Sequence, residues 1–560
     1  MHALTLRAGW RGASLFAVGL LAAAAVQAAG FNEPPIPPIG TTTVATADLL
    51  VSRPSTTPCT VTLFSNQEFA GYDPVPLSYA PPAGCAGPWA KVVLEADYSV
   101  TAGRQFDRTA VINVAGVNVY FGTTMEPGSA TSRAWHVERD VTDVSALLMT
   151  PQAGQAILGN TVDSTYTGRI FGTATLYFYP AGQGAPVTPS PQLVIPMAAS
   201  LTSLSPSNPT LAASVTLPTN VERLYLDVIA QSQNNDEFWY TCVPDQYASV
   251  LQSCGGSAFR EVEVMIDGMP AGVAPVFPWI YTGGISPYLW FPTPGVQTLN
   301  FTPSRVDLTP FAGQLDDGQP HTVALQVYGA QDYFTVTASL LAWRDAGAAV
   351  VTGSVTANTL AAPVVNVDAS KLTISGSNAN GLLVVSSARD YTITGTVQTS
   401  HGPVTTSVAQ KMSFSNQQSF DIDDVRYAQF INQATRVRSV TTTTDATGTA
   451  TQTVTSAYPL VLDLIATFPD GNEVLDTSIS QTLRRVTRNV DAQGREVDDS
   501  FEDTVTPHNT TTYFAAGGSS VADSASAQHY TERKTGSGCY DRTITVTANA
   551  VSAVKDGCAR

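Results

Sequence analysis

Apolar and polar residues alternate along most of this chain in short runs, the period of a strand with one buried face. Positions 110–120 predict two strands around Gly116, and positions 172–179 predict another. Val262, Val264 and Ile266 alternate with Glu261, Glu263 and Met265, and Asp267-Gly268 then closes a hairpin. Positions 322–328 repeat the same period. Further hairpins are predicted around Asn380-Gly381 and around Pro469-Asp470-Gly471, and the Thr-rich stretch 441–455 reads as a surface strand pair. Helical pattern is confined to scattered stretches such as 145–149, and no repeat of 20–50 residues stands out. The class is all-β, with packed sandwiches.

Punctuation divides the pattern. The stretch 180–196 is rich in Pro and Gly, and 345–363 is rich in Ala, Gly and Thr. These boundaries give a first sandwich at 46–185, a second at 186–350 and a C-terminal β-rich, sandwich-like domain at 351–560. A proline-rich extended leader occupies 29–45. Before it, Arg7 and Arg11, an apolar run at 13–25 and Val26-Gln27-Ala28 make an export signal of residues 1–28. The protein is expected to be secreted or periplasmic, with no membrane contact once the signal is cut, since no other run is long and apolar enough to span a bilayer. Six cysteines suit an exported chain, and their order suggests the pairs Cys59–Cys85, Cys242–Cys254 and Cys539–Cys558.

Charged residues are only 13% of the chain and the formal net charge is −17. Nucleic acid and anionic membranes are therefore excluded as partners, because phosphate binding is driven by Lys and Arg. Cysteine and histidine spacing shows no zinc pattern, and nucleophile-elbow, phosphate-loop and dinucleotide motifs are absent. No metal or cofactor is expected.

Three clusters carry candidate chemistry. In Gly103-Arg104-Gln105-Phe106-Asp107-Arg108, read as the head of a strand, alternation puts Arg104, Phe106 and Arg108 on one face and Asp107 on the other. Taken alone, a structural Asp107 pairing with a neighbouring strand is the plainer reading. In 234–242, Asp236, Glu237, Phe238, Trp239 and Tyr240 join two asparagines. Flat rings beside carboxylates and amides are what sugar sites look like, and a mixed loop with buried aromatics is the competing reading. The third stretch, 279–290, holds Tyr281 and Trp290 around Gly283-Gly284, either as a stacking wall or as the lid of a core.

Taken together, Pro81-Pro82, Cys85, Pro88-Trp89, Gly103 to Arg108, Leu158-Gly159-Asn160, Thr165 to Gly168, Asp236 to Tyr240, Phe259 to Val262 and Ile280 to Ile285, in this order, resemble the plant-type peptide-N-glycosidase A family. The export signal suggests a bacterial, acid-active member. A more distant resemblance is to bacterial peptide-N-glycosidase F, built from two adjacent jelly rolls. The resemblance implies tandem jelly-roll-type sandwiches that hydrolyse the amide between the innermost GlcNAc and asparagine of N-glycopeptides and N-glycoproteins. It implies Asp107 as the primary catalytic carboxylate and Glu237 as the second, with Asp236 as rival. Arg108, Asp163, Tyr166, Asp236, Trp239, Tyr240, Tyr281 and Trp290 become substrate-binding candidates in a cleft between the two sandwiches of a monomer. A silent glycan-binding or adhesion protein explains the aromatics equally but not the ordered acids. A glycoside hydrolase would leave asparagine unconverted.

Overall fold

Antiparallel strands in five sheets make up more than half of the described residues in a computed structural model, which describes residues 31–182 and 184–558. The export signal at 1–28 lies outside the described residues. Among those residues, no helix is long and apolar enough to cross a membrane.

The first sandwich pairs two four-stranded sheets. One runs Cys59–Phe69, Ile170–Pro180, Trp89–Val100, Arg133–Asp140; the other runs Val75–Tyr79, Gln152–Ile157, Thr109–Val114, Val117–Thr123. Val92, Leu94, Ala96 and Tyr98 on one sheet pack on Ala110, Ile112 and Val114 of the other. The strand Thr109–Val114 is buried on both faces, because Val111 and neighbouring Phe121 point instead into the core of the second sandwich. Continuous apolar sequence at 110–114 is the signature of such a doubly covered strand. The expected hairpin around Gly116 is present, with Ala115 and Gly116 both at positive φ.

The second sandwich faces a sheet containing Val221–Gln233, Tyr333–Arg344 and Ser304–Asp307 against one containing Glu261–Ile266, Met269–Pro275 and His321–Tyr328. The Asp267-Gly268 turn has positive φ at both residues, as a two-residue hairpin of right-handed twist requires. The two sandwiches are joined by backbone. Phe301 N–H donates to Phe121 O at 2.7 Å, and Thr123 N–H to Thr298 O at 2.8 Å. Gly122 sits between these bonds, where any β-carbon would lie 2.3 Å from Leu299 O.

The C-terminal region differs from the sandwich-like domain expected at 351–560. It is one twelve-stranded sheet with strands as long as Asn378–Thr399, about 70 Å at ~3.3 Å per residue. Its second layer is the second sandwich for most strands, and at the last strands the extended segment that contains Ala45 and Ala47, which packs on Ile544, Val546 and Val551. Tyr391, Ile393, Phe414, Ile431, Leu460 and Leu462 belong to the same core as Leu226, Val264 and Trp239. Buried amides on this sheet cap the irregular segment after Val221–Gln233: Asn416 donates to Tyr240 O, Gln429 to Thr241 O and Gln418 to Cys242 O, at 2.8–2.9 Å. The turn predicted at Asn380-Gly381 falls instead at Gly376-Ser377, so that Gly381 lies inside a strand opposite Leu372. The turn at 469–471 and the strand pair through 441–455 are where the pattern put them, and the helical stretch at 145–149 belongs to the 3-10 helix Thr142–Met149. All three expected disulfides are present.

Asp236 anchors the same irregular segment. It is fully buried; Oδ1 accepts from Arg260 Nε at 3.2 Å and Nη2 at 2.9 Å, and Oδ2 from the N–H groups of Gln331 and Asp332 at 2.9 and 2.8 Å. Every oxygen lone pair of consequence is used inside the fold. Removing one partner of a buried ion pair strands the other charge, at a cost of about 3–5 kcal/mol. Asp236→Ala is expected to lower the unfolding free energy by that order in urea titrations, and an unchanged midpoint would contradict this structural role.

Candidate active site

The loop between Trp89–Val100 and Thr109–Val114 carries Asp107, so the strand read at 103–108 is not formed before Thr109. Gln105 staples this loop from beneath. Its Nε2 donates to Thr161 O at 2.9 Å and Gly168 O at 3.0 Å, and its Oε1 accepts from Phe106 N and from Arg108 Nη2 at 2.8 Å. Arg108 therefore holds the loop and makes no ion pair with Asp107 among the described residues. Its guanidinium sits 5.7 Å from the Phe106 ring centre.

Asp107 faces the second sandwich. Oδ2 accepts from Gly283 N–H at 2.9 Å. A β-carbon on Gly283 would lie 2.3 Å from Glu126 Oε2 and 3.4 Å from Asp107 Oδ1, so the absence of a side chain lets two carboxyls flank one backbone position. The Gly283-Gly284 pair, read as part of a stacking wall, has this local purpose. Glu126 was not foreseen: an acid before Pro127 in a loop carries no motif. Its N–H donates to Thr282 Oγ1 at 2.9 Å, and Thr282 Oγ1 donates to Thr124 O at 2.8 Å, tying both loops to one hydroxyl.

Glu237 follows the short turn Asn234–Asp236 and lines the same cavity of about 300 Å3 as Asp107, Arg108 and Thr109. The cavity lies between the two sandwiches: Thr123, Ile157 and Gly159 wall it from the first, and Gln231, Gln233, Tyr281 and Tyr333 from the second. Gln233 Nε2 donates to Thr109 Oγ1 at 3.2 Å and Thr109 Oγ1 to Gln231 Oε1 at 3.0 Å, a relay that crosses the interface. The structure thus brings Asp107 and Glu237 together and separates Asp236 from them, since Asp236 is consumed by Arg260.

Burial dominates the electrostatics. It pushes Asp107 above its ordinary value, against the opposing Gly283 N–H and the field of Arg108. Burial first, and then the Asp107 charge, push Glu237 up to about 7. The same two causes push Glu126 up to about 8, despite the N–H of Asp107 donated to it and the field of Arg108. Three carboxyls share one low-dielectric region, and they differ in how well the negative form is stabilised.

The predicted stacking residues fare differently. Trp239, Tyr240 and Trp290 are wholly buried, and Tyr281 is nearly so. Trp239 packs against Phe414 of the C-terminal sheet, Trp290 Nε1 donates to Gly284 O at 2.9 Å, and Tyr281 OH donates to Ser232 O at 2.5 Å. The rings of Trp239, Tyr240 and Trp290 serve the core and do not line the cavity, whereas Tyr281 contributes to its wall. Exposed aromatic surface stands instead at Phe106, whose ring lies 5.5 Å from that of Tyr166, with the Arg104 guanidinium over both. Tyr166 is half-buried beside Phe106 and is not among the residues that line the cavity. Asp163 is exposed and accepts the N–H groups of Thr165 and Tyr166 at 2.7 and 2.8 Å, which hold it below its ordinary value. It shapes the loop that carries Tyr166 and does not line the cavity. Among the described residues no cluster of His, Cys, Asp or Glu is arranged to hold a metal ion.

Comparison with known proteins gives a consistent picture. A family model described as peptide N-acetyl-β-D-glucosaminyl asparaginase amidase A matches residues 48–361, and a second, for the C-terminal domain of the same family, matches 383–460. The curated peptide-N4-(N-acetyl-β-glucosaminyl)asparagine amidase A of Prunus dulcis is 29% identical over 391 residues, 65% of this chain and 67% of that protein. Among solved structures, PNGF-II aligns over 51% of this chain and 65% of its own, at 12% identity and a TM-score of 0.36. PNGase F from Flavobacterium meningosepticum aligns over 51% and 96%, at 14% identity and a TM-score of 0.34. The first match spans more than half of the chain and contains Asp107, Glu126, Glu237 and Gly283 alike, and on that ground the chain belongs to the peptide N-acetyl-β-D-glucosaminyl asparaginase amidase A family.

Proposed function

We propose that this protein hydrolyses the amide joining the innermost GlcNAc to the asparagine side chain of N-glycopeptides and N-glycoproteins. The products are an aspartyl peptide and a 1-amino-glycan. The observation that carries this reading is the pairing of Asp107 and Glu237 across a cavity between two sandwiches, in a chain of this family. Both acids are buried enough to shift upward, and only Asp107 has a backbone N–H and a nearby guanidinium to favour its anion.

Amide hydrolysis needs an activated water, a stabilised oxyanion and a protonated leaving nitrogen. Asp107, the better stabilised anion, takes the proton of the attacking water. The carbonyl carbon gains the hydroxyl, and the C–N bond breaks as Glu237, protonated below about 7, donates to the departing nitrogen. Glu126 is a positioning residue. It accepts the Asp107 N–H and, neutral below about 8, leaves Asp107 as the single charge of the group. Arg108, held by Gln105, places positive charge beside the cavity. Phe106 and Tyr166 replace the buried tryptophans as the stacking surface for the first sugar, which fits rings with an exposed face beside the catalytic loop.

The same shifts support activity on the acid side of neutrality. Glu237 works as an acid only while protonated, so rate falls as pH rises through about 7. Asp107 works as a base only while ionised, so rate falls as pH drops through its raised pKa. Export to the periplasm or the medium accords with the leader at 1–28 and with three disulfides. The chain is proposed to act as a monomer, the cavity being complete within one chain.

In ¹⁸O-water, a defined N-glycopeptide is expected to yield aspartate carrying the heavy oxygen at the former glycosylation site; mass spectrometry showing unconverted asparagine would end the amidase reading. Asp107→Asn is expected to lower kcat by roughly 10²–10⁴-fold, the usual range for a lost acid–base group, with KM little changed. The kcat profile of the wild type should bend downward near pH 7, and Glu237→Gln should lose that bend together with most of the rate. A Glu237→Gln enzyme that keeps the same alkaline limb would remove Glu237 from the acid role.

A further inference from the structure

A groove of about 970 Å3 opens where the two sandwiches meet the C-terminal sheet. It lies on the same sheet face as the catalytic cavity. Along Val221–Gln233, alternate residues point to that face: Tyr225 and Asp227 line the groove, Asp227 and Ile229 line a smaller cavity of about 360 Å3, and Gln231 and Gln233 line the catalytic cavity. The neighbouring strand Tyr333–Arg344 repeats the order, with Trp343 in the groove, Ser339 and Thr337 next, and Thr335 and Tyr333 at the catalytic cavity. From Tyr225 to Gln231 is six residues, ~20 Å of extended strand.

The groove wall is polar and aromatic together. Tyr225 stands edge-on to Trp343 at 5.3 Å. Arg305 lies 5.7 Å from the Tyr225 ring centre and binds Asp227 and Asp143 at 2.7 and 2.8 Å, so a half-exposed charged network bridges the sandwiches here. The C-terminal sheet contributes Ser439, Gln452, Thr487 and Arg485. Arg485 makes no ion pair among the described residues, although the chain is strongly acidic, and its Nε is buried with no hydrogen-bond partner. Rings, hydroxyls, amides and an unpaired guanidinium are the chemistry that receives a sugar's apolar face and its hydroxyl ring.

We propose that this groove is a second carbohydrate subsite, which binds an outer branch of the same N-glycan whose innermost residue occupies the catalytic cavity. The proposal rests on the amidase reading for the identity of the glycan. A branched oligosaccharide fixed at one end presents its branches to the groove at high effective concentration, so weak contacts there are enough to hold it. The C-terminal sheet then has a part in substrate choice as well as in supporting the catalytic segment.

The test compares two glycopeptides of one peptide sequence, one with a complete N-glycan and one trimmed to its two inner sugars. Arg485→Gln removes the guanidinium, and Thr487→Trp fills the groove without removing a buried contact. Each is expected to raise KM for the complete glycan roughly tenfold, Arg485→Gln through the loss of one charge-assisted hydrogen bond and Thr487→Trp by occupying the space of the branch, with kcat and the trimmed substrate unchanged. Calorimetry with the free released glycan on Asp107→Asn protein should show the same loss of affinity in both variants. Equal effects on the two substrates, or glycan binding that ignores both variants, overturns the subsite. If the wild type cleaves neither glycopeptide, the amidase reading fails while the calorimetry still decides the groove.

Discussion

Buried backbone that is neither helix nor sheet has to find hydrogen-bond partners elsewhere, and much of this structure answers to that constraint. The chemistry sits on three irregular segments: the loop of Asp107, the turn of Glu237 and the stretch through Gly283. Each is held by side chains that reach its carbonyls or amides. Gln105 spans its own loop and the 161–168 loop, Asp236 takes two N–H groups opposite Arg260, and Asn416, Gln418 and Gln429 cap consecutive carbonyls from the C-terminal sheet. Gln481 does the same near Gly283, donating to Pro278 O at 2.7 Å and accepting from Val296 N at 2.9 Å. A catalytic carboxylate misplaced by even ~1 Å loses much of its advantage, so this scaffolding is part of the active site in effect.

Division between two sandwiches gives the cavity its electrical character. Asp107 and Glu126 come from the first, Glu237 and Gly283 from the second, and the interface between them is bridged by backbone bonds from Phe121 and Thr123 and by the relay through Thr109. Low dielectric raises all three acids; a backbone N–H and the Arg108 field oppose the rise at Asp107 and at Glu126, and neither opposes it at Glu237. In the proposed mechanism an acid and a base are made from the same functional group by environment alone. Gly283 is the geometric condition for this arrangement, since any side chain would drive the two carboxyls apart.

The site was legible mainly through the family resemblance, since the local pattern at Asp107 by itself favours a structural acid. Asp107 and Glu237 were found through ordered motifs, and the structure gathers them at one cavity. Trp239, Tyr240 and Trp290 are buried in the core while Tyr281 lines the cavity, a difference that composition does not show because an irregular segment has no period to assign a face. The rivalry of Asp236 and Glu237 had the same origin. Adjacent acids in a turn diverge, and only the position of Arg260 decides which is consumed. Glu126 had no signal at all, since its meaning comes from Asp107 and Gly283 across space.

Period-two alternation, turn dipeptides with positive φ and cysteine order are local properties, so the sequence alone determined the all-β class, most hairpins and the three disulfides, while Asp107 and Glu237 came into view as candidates only through the family resemblance. The Asn380-Gly381 hairpin failed at the same local level, where Gly376-Ser377 turned first. Tertiary structure decided what each apolar face packs against. The C-terminal strands alternate as those of a sandwich would, yet their buried face is covered mainly by the second sandwich and not by a sheet of their own. Burial of a face is a long-range free energy, proportional to area removed from water and indifferent to which partner removes it, and for that reason no local pattern could have named the partner.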